Sequence, residues 1–251
     1  MIGAGATSPS VLGAAFLIAT CTFPTVLANA SDPQAPHPCV REEMTTVCNG
    51  DHPALRVVEE TTSPSGRYAM AWVVPEDAAS IARLERDSAD GSMSLPGGEP
   101  ENVVVRLRDG AVIAHAGSTH FGDHELYNYA ELSATWSADE TRLTTRQNDR
   151  WDTLAADVFR LDRNGKLMAH GDLLAIVRRV GRQHLARRKH ANPIEAYEAH
   201  IVAESFDRGN RMEIKTVLQI PGTDEPGFYF KMKVRLDEDE IRVVDAGVLR
   251  R

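Results

Sequence analysis

Residues 104–117 read VVRLRDGAVIAHAG, and residues 158–171 read VFRLDRNGKLMAHG. With one residue inserted at the turn, Val-x-Arg-Leu coincides with Val-x-Arg-Leu, and Ala-His-x-Gly with Ala-His-Gly. Each segment has two apolar-rich runs around a turn, Asp109-Gly110 in one and Asp162-Arg163-Asn164-Gly165 in the other. Alternation puts one set of side chains on one face of a pleated strand, and a glycine-bearing turn between two such runs signals a hairpin. Two related hairpins in one chain mark a repeated antiparallel unit.

Working outward, each hairpin is preceded by a strand, a serine-led turn and another strand. In the first unit these are Leu55 to Glu60, Ser63-Pro64-Ser65-Gly66, and Arg67 to Val74. In the second they are Ala130 to Trp136, Ser137-Ala138-Asp139-Glu140, and Thr141 to Gln147. Pro pre-sets φ for a turn and Gly admits the left-handed residue. The paired strands of the quoted segments are Asn102 to Arg108 with Ala111 to His115, and Ala156 to Leu161 with Lys166 to His170. Two four-stranded, blade-like units therefore fill residues 54–171, and the ordered body starts near Ala54. The first unit carries an insertion over residues 75–100, with a short helix expected at Ala78 to Arg86.

After Gly171 the period changes to that of a helix. Asp172 caps it, Leu173, Ile176, Val177, Val180 and Leu185 form its apolar stripe, and it runs to Arg188 before Asn192-Pro193. Its other side holds Arg178, Arg179, Arg182, Arg187, Arg188 and Lys189. Four strands follow: His200 to Phe206, Met212 to Ile220, Phe228 to Leu236 and Glu240 to Leu249. Their short connections suit an antiparallel meander, which could form a third, more twisted sheet. The fold class is α+β, mostly β: antiparallel four-stranded blade-like units, one amphipathic helix and a C-terminal antiparallel meander.

The strand followed by SPSGRYAMAW (63–72) resembles the Ser-Pro-Asp-Gly-Lys/Arg turn of bacterial propeller blades such as those of the Tol-system propeller. WSADETRL (136–143) is similar to a weaker second copy, with Ala138 where Pro is usual. The resemblance implies antiparallel blades and protein–protein contact.

The chain opens with MIGAGATSPSVLGAAFLIATCTFPTVLANA, without a charged side chain before Asp32. Ala28-Asn29-Ala30 is the small-x-small pattern of a signal-peptidase site, so residues 1–30 read as a cleavable secretory signal, although the n-region lacks Lys and Arg. A retained anchor and lipidation at Cys21 are the alternatives. The expected compartment is the periplasm or the cell exterior. Residues 31–53 form a Pro-rich linker holding Cys39 and Cys48. In an oxidising space that pair is expected as a disulfide, the alternative being two free thiols.

Asp and Glu number 36 against 28 Lys and Arg in 251 residues, a net charge of −8. That balance disfavours nucleic acid, which needs clustered cation excess. After the signal no segment is apolar enough to span a bilayer. GxSxG, P-loop, CxxC and SxxK motifs are absent from the mature chain, which argues against catalysis but leaves open a triad assembled in space. No cofactor is expected. The reading is a non-enzymatic interaction or binding module whose partner is another exported protein or a cell-envelope polymer. Arg178, Arg179 and Arg182 on the basic helix are its candidate contacts, as is Trp151, an aromatic able to stack on sugar or peptide. The alternative is a metal-dependent hydrolase built on His115, His120 and His124, since imidazoles with Asp123 and Glu125 nearby are the ligand types of zinc or copper. Trp72 and Trp136 are expected to pack between sheets.

Overall fold

The computed structural model describes residues 39–42, 45–48, 55–74, 100–120, 131–149, 152–187, 193–207, 209–223, 227–237 and 240–249. The chain divides into a unit over Met1–Ala35 and one over Pro36–Arg251, and all described residues belong to the second. The expected signal segment, the helix at 78–86, Trp151 and His124 lie outside the described residues.

Three antiparallel sheets follow one another along the chain, each with its strands in sequence order. Sheet 1 holds β1 (Cys39–Glu42), β2 (Thr45–Cys48), β3 (Leu55–Val58), β4 (Tyr68–Val73), β5 (Glu101–Arg106) and β6 (Ala111–His115). Sheet 2 holds β7 (Glu131–Trp136), β8 (Arg142–Asn148), β9 (Thr153–Leu161) and β10 (Leu167–Asp172). Then come α1 (Leu173–Leu185) and sheet 3, with β11 (Glu198–Phe206), β12 (Arg211–Gln219), β13 (Phe228–Leu236) and β14 (Ile241–Val248). The C-terminal meander is thus a third sheet, of four strands, whereas the first sheet has six.

The sheet begins earlier than the expected start near Ala54. Cys39 and Cys48 face each other in the β1–β2 hairpin, joined by a disulfide, and β2 pairs with β3. Sheet 1 curls until the Cys39 amide donates to the Leu107 carbonyl (3.1 Å). Cys48, Leu55, Val57, Val103 and Val105 pack together on one side of this sheet with Ala69 and Ala71. Tight curvature leaves little room there, which suits alanine at alternate positions of β4. The other face of β4, with Met70, belongs to the core shared with sheet 2.

The serine-led turns explain how one sheet is set on the next. Ser63 donates its amide to the Tyr68 carbonyl (2.8 Å) and its Oγ accepts from the Tyr68 amide (3.2 Å). Ser137 repeats both bonds with Arg142 (2.9 and 3.0 Å). Asp207 repeats them with Arg211 (3.1 and 3.3 Å), across a turn one residue shorter. Phe206–Arg211 is therefore a third copy of the turn. In the first two copies the same strand position points to the following sheet: Tyr68 stacks on Trp136 (centroids 5.7 Å apart), and Arg142 lies over Phe206 (5.4 Å). At the third copy Arg211 and Lys215 are exposed, so the stack of described sheets ends on a charged face.

Gly66 takes φ +74° in the first turn, and its counterpart Glu140 takes φ +54°. That left-handed backbone disfavours a residue with a Cβ. The Glu140 carboxylate compensates by accepting from the Ser65 amide (2.5 Å), Ser65 Oγ (2.7 Å) and Arg67 Nε (2.9 Å) across the sheet junction.

Candidate binding groove beside the basic helix

Asp172 Oδ1 accepts from the Ala175 amide (2.8 Å) and starts α1. Leu173, Leu174, Val177, Val180 and Leu185 are buried in the core with sheet 3. Gly181 is buried with them, and the close approach of Leu218 leaves no room for a side chain, since a Cβ there would lie 2.5 Å from Leu218 Cδ1. The helix ends at Leu185, earlier than Arg188, with Ala186 as its cap. Ala186 and Arg187, which follow, are exposed and hold no further turn on the sheet. Arg188 and Lys189 lie outside the described residues.

With this stripe inward, the arginines separate into different surroundings. Arg178 is half-buried and pairs with Glu198 (Nη2 to Oε2, 3.2 Å), so it braces the helix against β11. Arg179, Gln183, His184 and Arg187 form one wall of a groove of ≈ 600 Å³. Ile241, Arg242, Val243 and Ala246 of β14 line it too, with Glu240 at its edge paired to Arg242. Arg182 is exposed and does not line the groove. Among the described residues, Arg179, Arg182 and Arg187 have no carboxylate partner. The sequence pointed to the helix wall; β14, about sixty residues further on, it left unassigned.

Of the three histidines of the alternative metal reading, His115 and His120 are described, and their surroundings differ. His115 is exposed on β6 and its Nδ1 lies 3.2 Å from Glu101 Oε2. His120 is buried, its amide donating to Asn102 Oδ1 (2.7 Å) and its carbonyl accepting from Asn102 Nδ2 (2.8 Å). Among the described residues no three His, Cys, Asp or Glu side chains come together as metal ligands. His170, the repeat partner of His115, is tied instead to the buried Asp157 (Nε2 to Oδ1, 2.8 Å) and stacks on Phe159 (4.6 Å). Asp157 Oδ2 also accepts from the Gly117 amide (2.7 Å), linking the two repeats at their Ala-His-x-Gly ends. Trp72 is buried with Arg56 over its ring (5.8 Å), and Trp136 donates its indole N–H to the Thr61 carbonyl (2.9 Å).

A second polar concentration lies where sheet 2 meets sheet 3. Arg146 Nη1 donates to Glu204 Oε2 (2.8 Å) and to the Ile201 carbonyl (2.9 Å). Burial pushes the Glu204 carboxyl upward against the pull of Arg146. Burial and the neighbouring Asp149 and Glu198 raise Asp152, while burial and Arg146 lower His200. These residues are dispersed over β8, the β8–β9 connection and β11, and no local motif marks them.

No protein-family model matches the chain, and no curated protein matches it.

Proposed function

We propose that this chain is an exported, non-enzymatic binding module that takes an anionic partner in the groove between α1 and β14. One observation carries the reading: Arg179 and Arg187 have no ion partner among the described residues along a groove of ≈ 600 Å³, on a chain whose net charge is −8. A mostly acidic surface supplies many carboxylates to neutralise a stray arginine, so a cationic wall left unneutralised is suited to an external anion. Export is supported by the signal-like opening and by the Cys39–Cys48 disulfide, which persists in oxidising spaces. No described helix is long and apolar enough to cross a membrane. The blade-like repeats add a precedent of protein–protein contact by resemblance alone.

The partner class is an exported acidic protein or an anionic envelope polymer. The disulfide-intact mature protein is titrated with poly-glutamate and with a purified anionic wall polymer, at low and high salt. Salt-sensitive binding of either, reduced at least tenfold in the Arg179→Glu, Arg187→Glu double variant, is expected. Equal binding by the double variant, or no binding of either polymer by the native protein, overturns the proposal.

A further inference from the structure

The groove offers backbone as well as charge. β14 pairs with β13, and among the described residues no strand lies along its other side. The Asp237 amide donates to the Glu240 carbonyl (2.9 Å), and the Leu249 amide donates to the Tyr229 carbonyl (3.0 Å). Backbone groups of an antiparallel strand alternate between its two sides. Counting from Glu240, Arg242 turns its N–H and C=O toward β13, and Ile241 and Val243 turn theirs outward. Counting back from Leu249, Ala246 and Val248 also turn outward, with the register irregularity between the two runs. Ile241, Val243 and Ala246 are the β14 residues that line the groove together with Arg242. The groove therefore combines a strand edge left open by the described residues, apolar side chains and a helix wall carrying arginine.

We infer that the groove accepts an extended acidic segment of a partner protein as a fifth strand of sheet 3, hydrogen-bonded to β14. This rests on the reading of the groove as the binding site and narrows its partner to a polypeptide. An open edge presents unpaired N–H and C=O groups to any extended chain, and alternate side chains of the added strand supply specificity. Here one set of alternate side chains meets Arg179 and Arg187 on the helix, and carboxylates suit it. The other set lies beside the Arg242–Glu240 pair on the opposite face of β14. The irregularity near Val244 divides the edge into two short runs, so pairing is brief and affinity depends on the arginines.

The probe is an acetylated, amidated hexapeptide alternating glutamate and valine, compared with its alternately N-methylated counterpart and with a lysine–valine version. Amide hydrogen exchange of the full protein is followed with and without each peptide. The glutamate peptide is expected to bind and to slow exchange at Ile241 and Val243 at least tenfold, with N-methylation or lysine abolishing the effect. Binding without protection at those amides, or equal binding of the N-methylated peptide, overturns strand addition and leaves an anion-binding groove. Failure of the glutamate peptide and of poly-glutamate, with the wall polymer still bound, overturns the polypeptide partner. If no anionic probe binds, both readings fall.

Discussion

Where sheet 1 meets sheet 2, Tyr68 stacks on Trp136 above a core of Met70, Val104, Leu132, Leu143 and Phe159. Where sheet 2 meets sheet 3, the equivalent positions hold Arg142 over Phe206 and Arg146 paired with Glu204, and α1 fills the space beside Ala156 and Val158. The turns that set these junctions repeat the same backbone bonds, yet the side chains seal them differently. One junction excludes water with aromatic and aliphatic surface. The other buries charge and adds a helix to restore apolar area. A repeat of backbone geometry therefore fixes how sheets are offset, and leaves the chemistry of each seam free to vary.

The largest test of that contrast is Phe159→Ala, which empties the centre of the first junction. Loss of a buried ring is expected to cost about 3–5 kcal/mol, measured by denaturant unfolding. An effect below about 1 kcal/mol would mean that the first seam is not held by its apolar core. At the second junction, Arg146→Met leaves Glu204 buried without its cation and is expected to cost about 3 kcal/mol at neutral pH. That cost shrinks on acidification, because a protonated Glu204 no longer needs the cation. A pH-independent loss would show that the ion pair is not what Arg146 contributes.

Removing the clasp with Cys39→Ser and Cys48→Ser is expected to cost about 2–3 kcal/mol, and to act on sheet 1 alone. Hydrogen exchange should rise in β1, β2 and β3 and stay unchanged in sheet 3. Glu140 gives a smaller, signed effect. Glu140→Ala loses the bonds to Ser65 and Arg67 and is expected to cost about 2 kcal/mol. Glu140→Gly should cost about 1 kcal/mol less, since glycine adopts the left-handed backbone freely. Equal costs would remove backbone strain from the account.

The junctions should also answer acid in opposite senses. Burial works to raise the Glu140 carboxyl, but the Ser65 and Arg67 hydrogen bonds outweigh it and hold it below its ordinary 4.5. A depressed carboxyl stabilises the fold above its unfolded value and loses that contribution as pH falls through its folded value. Glu204 is raised, so its folded form prefers the proton and its seam loses stability as pH rises through the window above 4.5. Stability measured from pH 7 to pH 3 should fall less steeply in Glu140→Gln than in the native protein. An unchanged slope would leave Glu140 without a role in acid sensitivity.

Much of this architecture was legible in local pattern. Asp-Gly at 109–110 and the Ser-led turns marked hairpins, and Asp172 with Leu173, Val177 and Val180 marked a capped amphipathic helix. The Cys39–Cys48 pairing was legible from spacing together with the expectation of an oxidising compartment. The hairpin around it was hidden because two four-residue strands beside prolines carry too little alternation to register. The third turn was hidden because Asp207 replaces Ser and the turn is one residue shorter, which breaks the alignment while keeping the bonds. Half of the groove was legible: the arginine face of α1 is a local pattern, whereas Ile241, Val243 and Ala246 read as one strand among several.

By itself the sequence determined the strands from β3 onward, most of their reversals, where the helix starts and which of its sides is cationic. Those properties are set by neighbours within a few residues, through backbone preferences and side-chain period. Only the tertiary structure decided that Arg178 is spent on Glu198 while Arg179 and Arg187 face a groove, and that His115 and His120 lie in different surroundings. It also decided that Glu140 closes one seam and Glu204 the other. Each of those outcomes depends on which faces meet across tens of residues of chain, and packing of whole sheets settles that, whatever the local pattern.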